Sequence, residues 1–164
     1  MGVATRRVTD VATCFTDTAL LVVGRTTKLG WDMLHHLEIW VDDITISTAS
    51  LGWLLTRLGY RVQSQWADGI SYQYENHYIV LESGPDVRHE PHERRAPGMN
   101  HIAFALSSTQ QVEEVAAEAS KHGFTLMFKE RHPYAGGPDH YAAYLEDIAG
   151  FEVELVAVTA SGSK

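Results

Sequence analysis

Residues 35–43 read HHLEIWVDD, and residues 100–108 read NHIAFALSS. Aligning His36 with His101 superimposes two β-rich runs, and each run ends in a polar turn that can begin a helix. The offset between the two histidines is 65 residues. A similarity that recurs at one distance along the chain predicts two copies of a single structural unit.

A helix is predicted after each of these strands. In the segments TASLGWLLTRLGY and TQQVEEVAAEASKHGF, apolar residues recur at helical spacing. Both segments then reach a glycine, Gly59 or Gly123, which can adopt the left-handed conformation that ends many helices. The apolar positions are Leu51, Leu54, Leu55 and Leu58 in the first unit and Val112, Val115, Ala116 and Ala119 in the second.

Three strand candidates follow each helix. They are YRVQSQW, ISYQY and HYIVLES in the first half, and FTLMFKE, HYAAYLE and FEVELVAV in the second. Each half therefore reads β-α-β-β-β, and the predicted fold class is α+β with two βαβββ modules.

The module boundaries follow from these elements. We expect the first module at residues 34–84 and the second at residues 99–158, joined by a linker at 85–98 that is rich in proline, glycine and charge. Residues 1–33 are an N-terminal extension whose order the sequence does not predict, and residues 159–164 form a tail.

The linker carries histidines and glutamates that resemble a metal cluster on paper. These are His89, Glu90, His92 and Glu93. Their spacing differs from the H-E-x-x-H motif, and the proline between them opposes the helix that this motif needs. We therefore interpret the segment as a solvated linker.

Composition excludes several function classes. The chain has 164 residues and a formal charge of −8, so it lacks the basic surface that binds nucleic acid. The apolar stretch ALLVVG, residues 19–24, is too short to cross a bilayer, and no membrane partner is expected. The single cysteine, Cys14, cannot form an intrachain disulfide and suits a reducing cytoplasm, which is the predicted location.

Strand alternation points to a candidate metal site. His36 and Glu38 share one strand face, and Glu154 lies in an apolar last strand, where a carboxylate is rarely buried without a partner. Stacking the two repeats face to face would bring His36, His101 and Glu154 to one cleft. Two imidazoles and one carboxylate are a facial ligand set that leaves positions open for substrate or water.

The segments LHHLEIWV, MNHIAFAL and YLEDIAGFEVELV resemble the vicinal oxygen chelate superfamily of glyoxalases, extradiol dioxygenases, fosfomycin-resistance transferases and bleomycin-binding proteins. The resemblance covers about residues 34–158. It implies an open cup-shaped mixed sheet with helices outside. It also implies one divalent metal ion (Fe, Mn, Zn or Ni) on His36, His101 and Glu154, and a small-molecule substrate that chelates the metal through oxygens.

Departures from the family pattern leave the reaction open among isomerisation, ring cleavage and thiol addition. Repeat alignment puts Val80 where glyoxalase I has a fourth ligand, with Glu82 two residues later. Tyr144 matches an active-site tyrosine of the dioxygenases and fosfomycin transferases. The histidine of the extradiol signature is missing upstream of it, and His140 and His132 lie nearby at other spacings.

Two side chains are candidates for catalysis, each with a plainer interpretation. Glu38 is a candidate general base, or else a carboxylate at the mouth of the cup. Tyr144 is a candidate hydrogen-bond donor or acid, or else a packed tyrosine whose hydroxyl is satisfied.

A metal-free antibiotic-sequestering protein of the bleomycin-resistance type is the alternative to an enzyme. Trp40, Trp53, Trp66 and the tyrosines of SYQYENHY offer stacking surface, and the acidic balance would attract a cation. A pure binder does not need the three metal ligands together, so the enzyme is favoured. Exposed sheet edges on so small a cup also predict a homodimer.

Overall fold

The computed structural model describes residues 34–88, 90 and 92–158. The expectations for the N-terminal extension and for the tail lie outside the described residues. The two modules belong to one compact unit. Within the described ranges, no helix is both long enough and apolar enough to cross a bilayer.

The first module is a four-stranded sheet with a helical segment after its first strand. Its sheet order is β1-β4-β3-β2, with β1 parallel to β4 and the other pairs antiparallel. The elements are β1 (His36–Trp40), α1 (Ile44–Ser47), a π-helical turn (Thr48–Gly52), α2 (Trp53–Arg57), β2 (Arg61–Trp66), β3 (Gly69–Tyr74) and β4 (His77–Glu82).

The second module repeats this topology. Its sheet order is β5-β8-β7-β6, again with one parallel pair, β5 and β8. The elements are β5 (His101–Leu106), α3 (Thr109–Ala119), a 3₁₀ turn (Ser120–His122), β6 (Thr125–Leu126), β7 (Ala142–Glu146) and β8 (Glu152–Ala157). The predicted α+β fold with two βαβββ modules is confirmed, and each module forms its own hydrogen-bonded four-stranded sheet.

The helix ends agree with the glycine signals. Gly59 has φ 98° and Gly123 has φ 83°, both in the left-handed region. At the other end of the first helical segment, the Asp43 side chain accepts hydrogen bonds from the backbone N–H groups of Thr45 and Ile46. This satisfies two donors that a helix N-terminus otherwise leaves unpaired.

One predicted strand is mostly wrong. FTLMFKE was expected to be extended, but β6 ends at Leu126, and Phe128 has φ 49°. The chain then runs as a loop over residues 127–141. Glu113 of α3 holds this loop, because it accepts from the Tyr141 hydroxyl at 2.7 Å and lies 3.1 Å from His132 Nε2. The Glu113 side chain therefore holds this segment in place of sheet pairing.

A buried carboxylate joins the two modules. Asp147, in the turn between β7 and β8, accepts from the Ser50 hydroxyl of the first module at 2.8 Å. Its other oxygen accepts from the backbone N–H groups of Ala149 and Phe151. Around this contact, one apolar core spans both modules, with Leu54, Leu81, Leu145 and Leu155 fully buried.

Gly52 provides the first testable feature of the fold. A Cβ at this position would overlap the Tyr72 hydroxyl. We expect Gly52→Ala to lower the free energy of unfolding by about 1–3 kcal/mol through overpacking. In a Tyr72→Phe background the same substitution should cost less than half as much, since the overlapping oxygen is gone. Urea denaturation of the four proteins measures this, and equal costs in both backgrounds would contradict it.

Candidate functional site

Two of the three predicted metal ligands meet on one face of the second sheet. Strand register places Ala103 beside Glu154 and His101 beside Glu152, so His101 and Glu154 project from the same face. His101 Nε2 lies 3.3 Å from Glu154 Oε2. The carboxylate belongs to a residue that is only 5% exposed.

Both ring nitrogens of His101 face oxygen atoms. The Asn100 amide nitrogen donates to the Arg94 carbonyl, which turns its own oxygen toward His101 Nδ1 at 2.8 Å. Nδ1 is then the donor to Asn100. Nε2 donates to Glu154 when the ring is protonated, and it offers a lone pair to a metal ion when the ring is neutral. A proton or a metal ion between Nε2 and Glu154 would satisfy both groups.

The sequence analysis did not include His140 in the site, because its spacing from Tyr144 does not match the family pattern. Its Nε2 donates to Glu154 Oε1 at 2.6 Å. His140 lies on the irregular loop, where strand alternation offers no signal. Gly136 permits this packing, since a Cβ there would lie 2.6 Å from the His140 ring and 2.5 Å from the Tyr144 hydroxyl.

Tyr144 completes the cluster around Glu154. It lies beside Glu154 in the strand register, its hydroxyl donates to that carboxylate, and its ring is edge-on to His101 at 6.2 Å between centroids. Burial, followed by the bond to Glu154, raises the pKa of Tyr144 to about 12. Tyr144 therefore keeps its proton near neutral pH and acts as a hydrogen-bond donor.

The pKa of Glu154 is lowered despite its burial. Burial alone would raise the pKa, but hydrogen bonds from Tyr144 and His140, together with the charges of His140 and His101, outweigh it. An anion that keeps its charge is a poor general base at neutral pH but a suitable ligand for a cation.

The neighbouring carboxylates on this face are neutralised separately. Arg94, from the linker, lies 2.7 Å from Glu152 and 3.7 Å from Glu146. The sequence analysis did not single out Arg94, because a linker arginine carries no periodic signal. Its charge pairs with Glu152 and leaves Glu154 to the imidazoles.

His36 and Glu38 lie on β1 of the first module and are bound to other partners. The His36 ring stacks on Tyr78 at 4.9 Å, and its Nδ1 is 2.9 Å from His35 Nδ1. Glu38 accepts from Trp40 Nε1 at 2.6 Å. Among the described residues, no group of three or more His, Cys, Asp or Glu side chains is placed to hold a metal ion. The convergence of His36 on the other two ligands stays a prediction.

The strand register of the first sheet also identifies the residue at the position of the fourth ligand in glyoxalase I. Val80 pairs with Glu38 in the first sheet as Glu154 pairs with Ala103 in the second. Glu82 lies two residues farther along β4 and accepts from Trp66 Nε1 at 2.8 Å. The first module therefore has an apolar residue where the second has its buried carboxylate.

Most of the described linker residues are exposed, but His92 is half-buried. The His92 ring stacks on Phe151 at 4.3 Å, and Glu93 pairs with Arg95. Glu90 is exposed, and His89 lies outside the described residues. The solvated-linker interpretation is therefore wrong for His92.

Comparisons with known proteins agree with the fold. The uncharacterized protein YqjT of Bacillus subtilis (strain 168) is 37% identical over 125 residues, which are 76% of this chain and 98% of YqjT. A solved structure from Bacillus halodurans, named as a candidate glyoxalase, is 38% identical with a TM-score of 0.72 and covers 77% of this chain and 96% of its own.

A more distant structure shares the fold alone. It is the lactoylglutathione lyase of Agrobacterium tumefaciens, at 17% identity and a TM-score of 0.54, covering 79% of this chain and 96% of that one. The family model of the Glyoxalase/Bleomycin resistance protein/Dioxygenase superfamily matches residues 35–144. With two βαβββ modules and this match, the chain belongs to that superfamily.

Proposed function

We propose that the protein is a divalent-metal-dependent enzyme that acts on a small oxygenated substrate. The supporting observation is the buried Glu154 carboxylate, which stays anionic and lies 3.3 Å from His101 Nε2. A buried anion beside an imidazole nitrogen is a donor set that suits a divalent cation.

His101 and Glu154 would hold the ion, with His36 as the third ligand. For that, the His36 ring must leave its stack on Tyr78, whereas the His140 bond occupies only Oε1 of Glu154 and leaves Oε2 facing His101. The bound ion would act as a Lewis acid on a substrate oxygen.

The chain's own groups supply the remaining roles. Tyr144, whose pKa is raised to about 12, keeps its proton and donates a hydrogen bond at the edge of the site. Glu38 shares a strand face with His36 and would remove a proton from the substrate. To reach a substrate, Glu38 must release its bond from Trp40.

Glu38→Gln tests the base. We expect metal content to stay unchanged and turnover to fall by at least about 100-fold, the lower end of what a positioned base contributes. The assay would use a panel of vicinal oxygen compounds, namely catechols, 2-hydroxyketones and methylglyoxal hemithioacetals. Glu75→Gln, in the exposed β3–β4 turn, is the matched control. Full activity of Glu38→Gln would contradict the role of Glu38 as the base and leave it as a charge at the mouth of the cup.

The metal-free binding alternative has less support. Trp53, one of its three candidate stacking residues, is already stacked on His122 at 4.0 Å. Trp40 and Trp66 remain exposed and could contact a ligand. Elemental analysis of the purified protein separates the two functions, because the alternative requires no bound metal.

The protein is further proposed to form a homodimer. β2 lies at an edge of its sheet, and all six of its residues are exposed. Exposed edges of this kind are usually covered in natural proteins. Light scattering at micromolar concentration should therefore report twice the chain mass of 18.3 kDa. A monomer at that concentration would contradict the proposal.

A further inference from the structure

We propose that a second cleft, separate from the Glu154 cluster, binds an organic cation with an aromatic or branched apolar body. The cleft has a volume of about 520 Å³ and lies where the end of β1, the start of α1, the linker and the β7–β8 turn meet. This size is typical of small-molecule sites, which are usually concave and largely apolar.

The lining includes large apolar side chains that are open to solvent. Trp40 is 52% exposed, Ile46 43% and Ile148 75%. Phe151 lines the same cleft and is covered by the stacked His92 ring. Exposed apolar groups gathered around a concavity indicate a binding surface, since singly scattered ones are the norm elsewhere.

The charge of the lining favours a cation. The lining contains four carboxylates and one arginine, namely Asp42, Asp43, Asp86, Glu90 and Arg88. Asp43 already caps α1, whereas Asp86 and Glu90 are exposed at the rim. The exposed Trp40 indole is an aromatic group of the kind that binds cations, and the net charge of −8 attracts cations over a longer range.

The cleft and the Glu154 cluster have no lining residue in common, although Trp40 of the cleft donates its Nε1–H to Glu38 of the proposed active site. Trp40 lies on the same face of β1 as His36 but four residues farther along. At about 3.3 Å per residue, this places the two side chains roughly 13 Å apart along the strand. Binding in the cleft can therefore be measured independently of metal binding.

The test compares two probes of similar shape and opposite charge on the full chain. Calorimetric titration with 2-phenylethylammonium should show saturable binding at least about tenfold tighter than with 3-phenylpropionate. The double variant Asp86→Asn/Glu90→Gln should weaken binding of the cation at least about tenfold. Thermal melts establish that each variant is folded.

Two matched controls complete the design. Asp68→Asn removes an exposed carboxylate from the β2–β3 turn and should bind the cation as the parent does. Glu154→Gln should also bind it unchanged, because Glu154 does not line the cleft. Equal binding of the two probes, no binding, an unaffected Asp86→Asn/Glu90→Gln variant, or loss of binding in Glu154→Gln would each overturn the proposal.

Discussion

Glu154→Gln should lower the affinity of the protein for Zn²⁺ or Mn²⁺ by at least about 100-fold, since losing a partner of a ligand already costs 10–100-fold. The amide keeps the size of the side chain but removes the charge that His101, His140 and Tyr144 surround. Calorimetry and competition with a chelator measure the affinity. Elemental analysis of the purified variant should find less metal than in the parent protein.

Glu146→Gln is the matched control for this experiment. Glu146 lies on the same sheet face but faces Arg94, so metal affinity should change by no more than a few fold. Equal affinities of Glu154→Gln and the parent protein would remove Glu154 from the ligand set.

In metal-free protein, the lowered pKa means that Glu154 stabilises the fold above its ordinary carboxyl pKa of 4.5. That stability is lost as the pH falls through the lowered value.

Asp147→Ala should lower the free energy of unfolding by about 3 kcal/mol, because it leaves two backbone N–H groups without their buried acceptor and removes the Ser50 bond between the modules. For a protein of this size that corresponds to a melting temperature about 6–12 °C lower. Calorimetry or circular dichroism measures the change.

A second aspartate serves as the reference for Asp147. Asp43→Ala removes an exposed helix cap and should cost only about 1 kcal/mol. Ser50→Ala combined with Asp147→Ala should cost less than the sum of the single changes, since both remove one hydrogen bond. If Asp147→Ala melts no lower than Asp43→Ala, the bond between the modules does not stabilise the fold.

The repeat was predictable because its signals are local. The helix-ending glycines Gly59 and Gly123 need only their own backbone conformation, and strand alternation survives in any sheet. β6 was not predictable, because the loop after it is held by Glu113, which lies in α3. A tertiary contact overrode the extended preference of FTLMFKE.

The same distinction explains the site. The shared face of His101, Glu154 and Tyr144 follows from alternation within one hydrogen-bonded sheet. His140 reaches Glu154 from an irregular loop, where no periodicity predicts direction. The place of His36 depends on how strands of two separately bonded sheets meet, and neither composition nor spacing contains that information.

The strand register of the two sheets also shows that the two modules carry different side chains at equivalent positions. Where the second module has Glu154 beside Tyr144, the first has Val80 beside Ser71, at equivalent positions of an equivalent sheet. Of the two equivalent faces, only that of the second module carries a buried charge with imidazoles around it. The two halves therefore share a backbone arrangement but are not chemically interchangeable.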